Sequence, residues 1–153
     1  GESNTGRGWV MVRASQLTAE AIIEAMEHGN FYATTGVEVR EITASQEMLS
    51  ITIRAEDGVS YNTQFIGTKR GFDRSSQPVV NADGAPEHVS RIYSRDIGQV
   101  LFETNENLAV YKFMGNELYV RAKIISDRKH PNPFAEGDLE TAWIQPVTVS
   151  PGR

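Results

Sequence analysis

After Gly29 the hydrophobic pattern of this chain changes from a repeat of about 3.6 residues to a repeat of two. The short runs Phe31 to Thr35, Val37 to Ile42, Met48 to Arg54, Tyr61 to Ile66, Gly98 to Phe102, Leu108 to Phe113, Glu117 to Ile125 and Ala142 to Val149 follow, mostly bounded by Gly, Asn, Asp or Pro. Within them Ile51 and Ile53 alternate with Thr52 and Arg54, Val110 with Tyr111 and Phe113, and Tyr119 and Arg121 with Val120 and Ala122. Runs of this kind bury one face each, as the strands of two stacked antiparallel sheets do. The expected fold is mainly β: an antiparallel, immunoglobulin-like β-sandwich of about seven to nine strands, with one N-terminal helix.

Ahead of the switch, Trp9-Val10-Met11-Val12-Arg13 reads as a short strand after the turn-rich residues 4–8. Thr18 then suits a helix N-cap, with Leu17 placed to meet Ile22 as a hydrophobic staple and Glu20 in the first turn. Ala19, Ile22, Ile23 and Met26 form one apolar face, and His28 with Gly29 closes the helix. Farther on, Met114-Gly115-Asn116-Glu117 predicts a tight hairpin that would make the flanking strands neighbours. Two long polar stretches, 68–97 and 127–140, read as loops of the kind that carry function, with a further strand around Val89 to Tyr93 as an alternative for part of the first.

The formal charge of −5 sets the molecule as a whole against a phosphate backbone, so nucleic acid is not an expected partner. With no cysteine there is no disulfide, thiolate metal site or cysteine nucleophile, and the compartment stays open. No apolar run approaches the roughly 18 residues of a membrane span, and no basic-then-apolar signal opens the chain. The chain is expected to be soluble, and a periplasmic or secreted parent is compatible with it.

Candidate chemistry is sparse. His28, His88 and His130 lie far apart, and none has a second donor at metal-ligand spacing; His28 is explained by the helix end, and the other two read as solvated loop histidines. Asn132, Glu136, Asp138 and Glu140 lack the ordered alternation of a calcium loop. Gly67-Thr68-Lys69-Arg70-Gly71 has neither the spacing nor the ending of a phosphate loop, and reads as a basic surface turn. Trp9, Trp143 and the five tyrosines offer a sugar-stacking platform in principle, though aromatic residues on alternating strands more often fill a core. A ligand-contact surface, if the chain has one, falls on the loop residues Lys69, Arg70, Arg74, His88 and His130, with no catalytic and no metal-ligating residue assigned.

Three stretches carry a family resemblance: Gly6-Arg7-Gly8-Trp9-Val10-Met11-Val12-Arg13-Ala14, the helix start Leu17-Thr18-Ala19-Glu20-Ala21-Ile22, and Gly29-Asn30-Phe31-Tyr32-Ala33-Thr34-Thr35-Gly36. Together they resemble the closing β-α-β part of PHP-superfamily (polymerase and histidinol phosphatase) proteins. Tyr119-Val120-Arg121-Ala122 and Ala142-Trp143-Ile144-Gln145-Pro146-Val147 are similar to the β-sandwich that follows the catalytic domain in the metallohydrolase branch of that superfamily.

The resemblance implies a division into residues 1–36, a remnant of an upstream catalytic domain, and residues 37–153, an accessory sandwich. It implies a parent that hydrolyses phosphoesters with divalent metal ions held by His and carboxylate ligands. The family's His-x-His motif is absent here, and its Asp-x-His motif would lie just upstream of Gly6, so no ligand carries over and the chain itself is expected to bind no cofactor and catalyse nothing. Its expected partner is the parent's catalytic domain; in this chain Trp9 to Arg13 and the helix are expected to cover the sandwich or a second copy of the chain, because their apolar face needs a partner. Gly36 is expected to permit the bend into the sandwich, Trp143 to plug the core, and Pro146 to sit at an edge or bulge. The alternatives are a carbohydrate- or ligand-binding module and a structural or assembly domain.

Overall fold

The computed structural model describes residues 5–150, without the side chains of residues 86–90. Among them the order of elements is β1 (Trp9–Val12), α1 (Ala19–Glu27), β2 (Phe31–Thr34), β3 (Val39–Ala44), β4 (Met48–Ile53), β5 (Tyr61–Lys69), β6 (Ser76–Val80), β7 (Pro86–Tyr93), β8 (Gln99–Thr104), β9 (Leu108–Lys112), β10 (Glu117–Lys129), β11 (Leu139–Ile144) and β12 (Val147–Thr148). The chain is mainly β, its strands pair antiparallel, and one helix stands near the N-terminus.

A large sheet runs in the order β1-β2-β11-β10-β5-β8, with β12 also on β10; a small sheet runs β3-β4-β9, and β6 and β7 form a separate hairpin. Register explains the core. The row Tyr32, Ile144, Ala122 and Phe65 crosses four strands of the large sheet on one face, next to the row Thr34, Ala142, Ile124 and Thr63. All eight side chains are buried. Leu49, Ile51, Ile53, Ala109 and Tyr111 of the small sheet close over them. Phe65 stacks against Tyr111 of the facing sheet at 5.5 Å between ring centroids and against Phe102 of its own sheet at 6.2 Å. Full burial of side chains such as Leu49, Ile51, Phe65 and Ile124 stabilises by roughly 1.5–3 kcal/mol each, so the seam between the sheets is where the fold is held.

The helix forms where its caps place it. The Thr18 hydroxyl accepts the N–H of Ala21 at 3.3 Å, and Gly29 adopts φ 71° just past the end. His28 donates from Nδ1 to the Glu24 carbonyl at 2.7 Å. The staple does not form: Leu17 is 95% exposed, while Ile22 is half-buried. Of the apolar face only the neighbouring Ala25 is buried, while Ile23 and Met26 are exposed. Strands β1 and β2 join the large sheet side on, through Thr34 paired with Ala142 and Ala33 with Trp143. Hydrogen bonding is therefore continuous from the lead-in into the sandwich.

Three other expectations need correction. Strands β9 and β10 are not hairpin neighbours: β9 pairs with β4 and β10 with β5, β11 and β12, so the turn at Met114 to Asn116 crosses between sheets. The cause is Glu117, whose fully buried carboxylate draws the turn inward, while Phe113 N–H bonds the Glu47 carbonyl at 2.8 Å and Arg70 N–H the Asn116 carbonyl at 2.7 Å. Trp143 does not plug the core. Ala142 and Ile144 take the inward positions on either side of it, and period two sends Trp143 to the outer face. Finally, the stretch 68–97 is not a loop throughout: the alternative strand around Val89 to Tyr93 is present as β7, which pairs with an unanticipated β6, and the end of β5 also falls in it. Pro146 does fall in the interruption between β11 and β12, where a missing N–H costs no ladder bond.

Candidate functional site

Strand β10 separates the residues singled out from sequence. Lys69 pairs with Glu117 at one end of this strand and His130 follows Lys129 at the other, 13 residues along, which at about 3.3 Å per residue amounts to roughly 40 Å of strand. They cannot share a ligand of ordinary size. Lys69 is exposed and borders a hollow of about 430 Å³ with Leu101, Phe102, Lys112 and Met114. Arg70 is occupied, donating to the Val149 carbonyl at 2.6 Å, and Arg74 lies over the Phe72 ring at 5.6 Å. His88 is on β7, and its side chain lies outside the described residues.

His130 is not solvated: its ring is buried, accepts the N–H of Asn132 on Nδ1 at 3.0 Å and meets the Arg7 carbonyl through Nε2 at 2.9 Å. An acceptor at Nδ1 and a donor at Nε2 describe the neutral Nε2–H tautomer. The ring thereby ties the N-terminal segment to the 130–138 loop, where Arg7 Nε also donates to the Asn132 carbonyl at 3.1 Å. Asp138 closes that loop by accepting the N–H groups of Phe134 and Ala135. Glu140 is buried, 3.8 Å from Arg128, and its carboxyl fills the space over Gly36 where a Cβ would be. That contact, along with φ 153°, accounts for glycine at the bend into the sandwich.

The outer face of the large sheet holds a more coherent group. Trp143 is half-buried, with Lys123 paired directly opposite on β10 and Arg121 two residues along the same strand. The Lys123 ammonium lies 4.9 Å and the Arg121 guanidinium 4.8 Å from the indole centroid. On the β1-β2 side of the indole is an open apolar hollow of about 510 Å³, bordered by Gly8, Val10, Ala33 and Thr35. A second hollow of about 460 Å³ shares Thr35 and Trp143 with it and extends past Lys123 to His130, Phe134 and Asp138. The sequence places Arg121 and Lys123 on one face of β10, but it does not say that Trp143 is their neighbour.

Among the described residues no three His or carboxylate side chains come together as a metal site, and no helix is long and apolar enough to cross a membrane. No family model, curated protein or solved structure matches the chain.

Proposed function

We propose that this chain is a non-catalytic accessory domain of a PHP-type metal-dependent hydrolase, a phosphoesterase by class, and that it docks through β1 and α1 onto the catalytic domain of the same polypeptide. The observation that carries the reading is the state of that edge. Among the described residues strand β1 pairs with β2 alone, and Trp9, Val10 and Met11 on it are 40–46% exposed. Beside it α1 presents Ile23 and Met26 to solvent. A sheet edge with free N–H and C=O groups and an apolar helix next to it is a surface that proteins ordinarily cover. These are also the residues that carry the resemblance, through Trp9 to Arg13, α1 and the Phe31 to Gly36 stretch. On this reading the metal ions and the hydrolysis belong to the upstream domain, and the sandwich contributes packing.

The test is to produce the chain together with the residues encoded ahead of it and to follow hydrogen exchange at residues 9–27. Strong protection there relative to the isolated chain, with manganese-dependent phosphoesterase activity in the longer protein, is the expected result. Unchanged exchange, or phosphatase activity from the isolated chain, overturns the reading. Protection that appears in the isolated chain with rising concentration would instead assign the edge to a second copy.

A further inference from the structure

We propose that the outer face of the large sheet, at Trp143, binds an acidic saccharide: a sugar chain carrying carboxylate or sulfate groups. The inference does not rest on the accessory-domain reading, although its trough shares Val10 with the edge assigned there to docking.

The first observation is one of charge. Acidic residues outnumber basic ones by 20 to 15 over the chain, yet Lys123 and Arg121 converge within 5 Å of one indole centroid. Among the described residues neither has a carboxylate at ion-pair distance, and Arg121 Nε is buried without a hydrogen-bond partner. Asp138 borders the adjoining hollow, but one of its oxygens is held by the N–H groups of Phe134 and Ala135. Two cations held together over a ring repel one another, and an anion placed beside them relieves the repulsion.

The second observation is one of shape. Both cations reach Trp143 from β10, on one side of its strand; Val10 and Ala33 lie on the other, through the pairing of Ala33 with Trp143 and of Val10 with Ala33. The indole therefore separates a cationic side from a small-residue apolar trough. Ala33 as its floor leaves room for a ring against the indole. The apolar face of a pyranose suits that trough, and an acidic substituent on the same or the next residue reaches Lys123. Two open hollows joined at Thr35 and Trp143 accommodate more than one sugar unit while leaving its hydroxyls in water. A compact hydrophobic ligand would need an enclosed pocket instead.

The experiment titrates the whole chain with trigalacturonate and with a heparin tetrasaccharide, using maltotriose and inorganic sulfate as controls, and reads tryptophan fluorescence and calorimetric heat. Saturable binding of at least one acidic oligosaccharide is expected, with none of maltotriose. Lys123→Gln and Arg121→Gln should each weaken it about tenfold, the scale of one charge-assisted contact. Trp143→Phe should weaken binding and reduce the fluorescence change to what Trp9, at the rim of the same hollow, contributes. Far-UV circular dichroism checks that each variant folds, and if Arg121→Gln does not, Lys123→Gln on the open side decides alone. The proposal is overturned by the absence of binding, by binding that the Lys123→Gln variant retains in full, or by sulfate competing at equal concentration, which would mean an anion site without sugar recognition.

Discussion

The hydroxyl of Tyr111, on β9 of the small sheet, donates a 2.7 Å hydrogen bond to the carboxylate of Glu117, on β10 of the large one. The same oxygen accepts the Met114 N–H at 2.9 Å, so a single buried carboxylate closes the crossing between the sheets. Removing one partner from such a group costs more than the bond contributed, because the other is left buried and unpaired. Tyr111→Phe is expected to lower the unfolding free energy by about 1.5–3 kcal/mol and Glu117→Ala by about 3–5 kcal/mol in urea titrations. If the double variant is no less stable than Glu117→Ala alone, the two side chains act as one unit; strict additivity would contradict that.

The same pair sets limits in pH. Burial pushes the Glu117 carboxyl up, but hydrogen bonds from the backbone, the Met114 N–H first, and from the Tyr111 hydroxyl outweigh it and hold the group below its ordinary 4.5. Its stabilisation is complete above that value and is lost as pH falls through the lower folded one. Burial, then the hydrogen bond to Glu117 and its charge, raise Tyr111 above the ordinary 10.0. That contribution is complete below 10.0 and is lost as pH rises beyond it. Burial raises Tyr32 as well, and hydrogen bonds from Arg128 and Ser75 lower Glu56 and Asp73, so each limb is composite. Stability profiles should therefore show that Tyr111→Phe reduces the alkaline loss and Glu117→Gln the acid loss, without abolishing either.

Thr63 is fully buried between Ile124 and Thr104, and among the described residues its hydroxyl has no hydrogen-bond partner. Thr63→Val keeps the shape and removes the unpaired polar group. A gain of about 1 kcal/mol is expected from thermal or urea unfolding. A loss of that size would show that a bridging water serves the hydroxyl.

At Gly67 the backbone of β5 passes so close to its neighbours that an added Cβ would stand 2.5 Å from the Tyr119 carbonyl oxygen and 2.8 Å from Leu101 Cδ1. The first of these is backbone of the central strand and cannot move aside cheaply. Gly67→Ala should cost about 1–3 kcal/mol, while Gly71→Ala, in open space at φ 77°, should cost less through backbone strain alone. Equal losses in the two variants would remove close approach as the reason for glycine at 67.

Much of the strand series is legible in the sequence. Met48 to Ile53 and Leu108 to Lys112 stand within a residue of where alternation puts them, and α1 begins and ends at its predicted caps. Strand β7 falls where the sequence offers a further strand around Val89 to Tyr93, but its partner β6 is not legible, because Ser76 to Val80 is largely solvated on both faces and no period marks it. The contact residues were less legible. Arg70 and His130 have the composition of ligand-binding loop residues, but the Val149 carbonyl and the Arg7 and Asn132 backbone occupy them.

From the sequence alone came the mainly β class, the helix with its caps, and which residues within a strand share a face, because those follow from backbone sterics and burial over a few neighbouring residues. Tertiary structure decided which strand lies beside which. It turned the Met114 to Asn116 segment from a hairpin into a crossing, set Trp143 outward against Lys123, and kept Lys69 a strand's length from His130. A period of two fixes faces only relative to one another, and the choice between inside and outside rests on contacts between residues such as Phe65 and Tyr111, 5.5 Å apart in space and far apart in the chain.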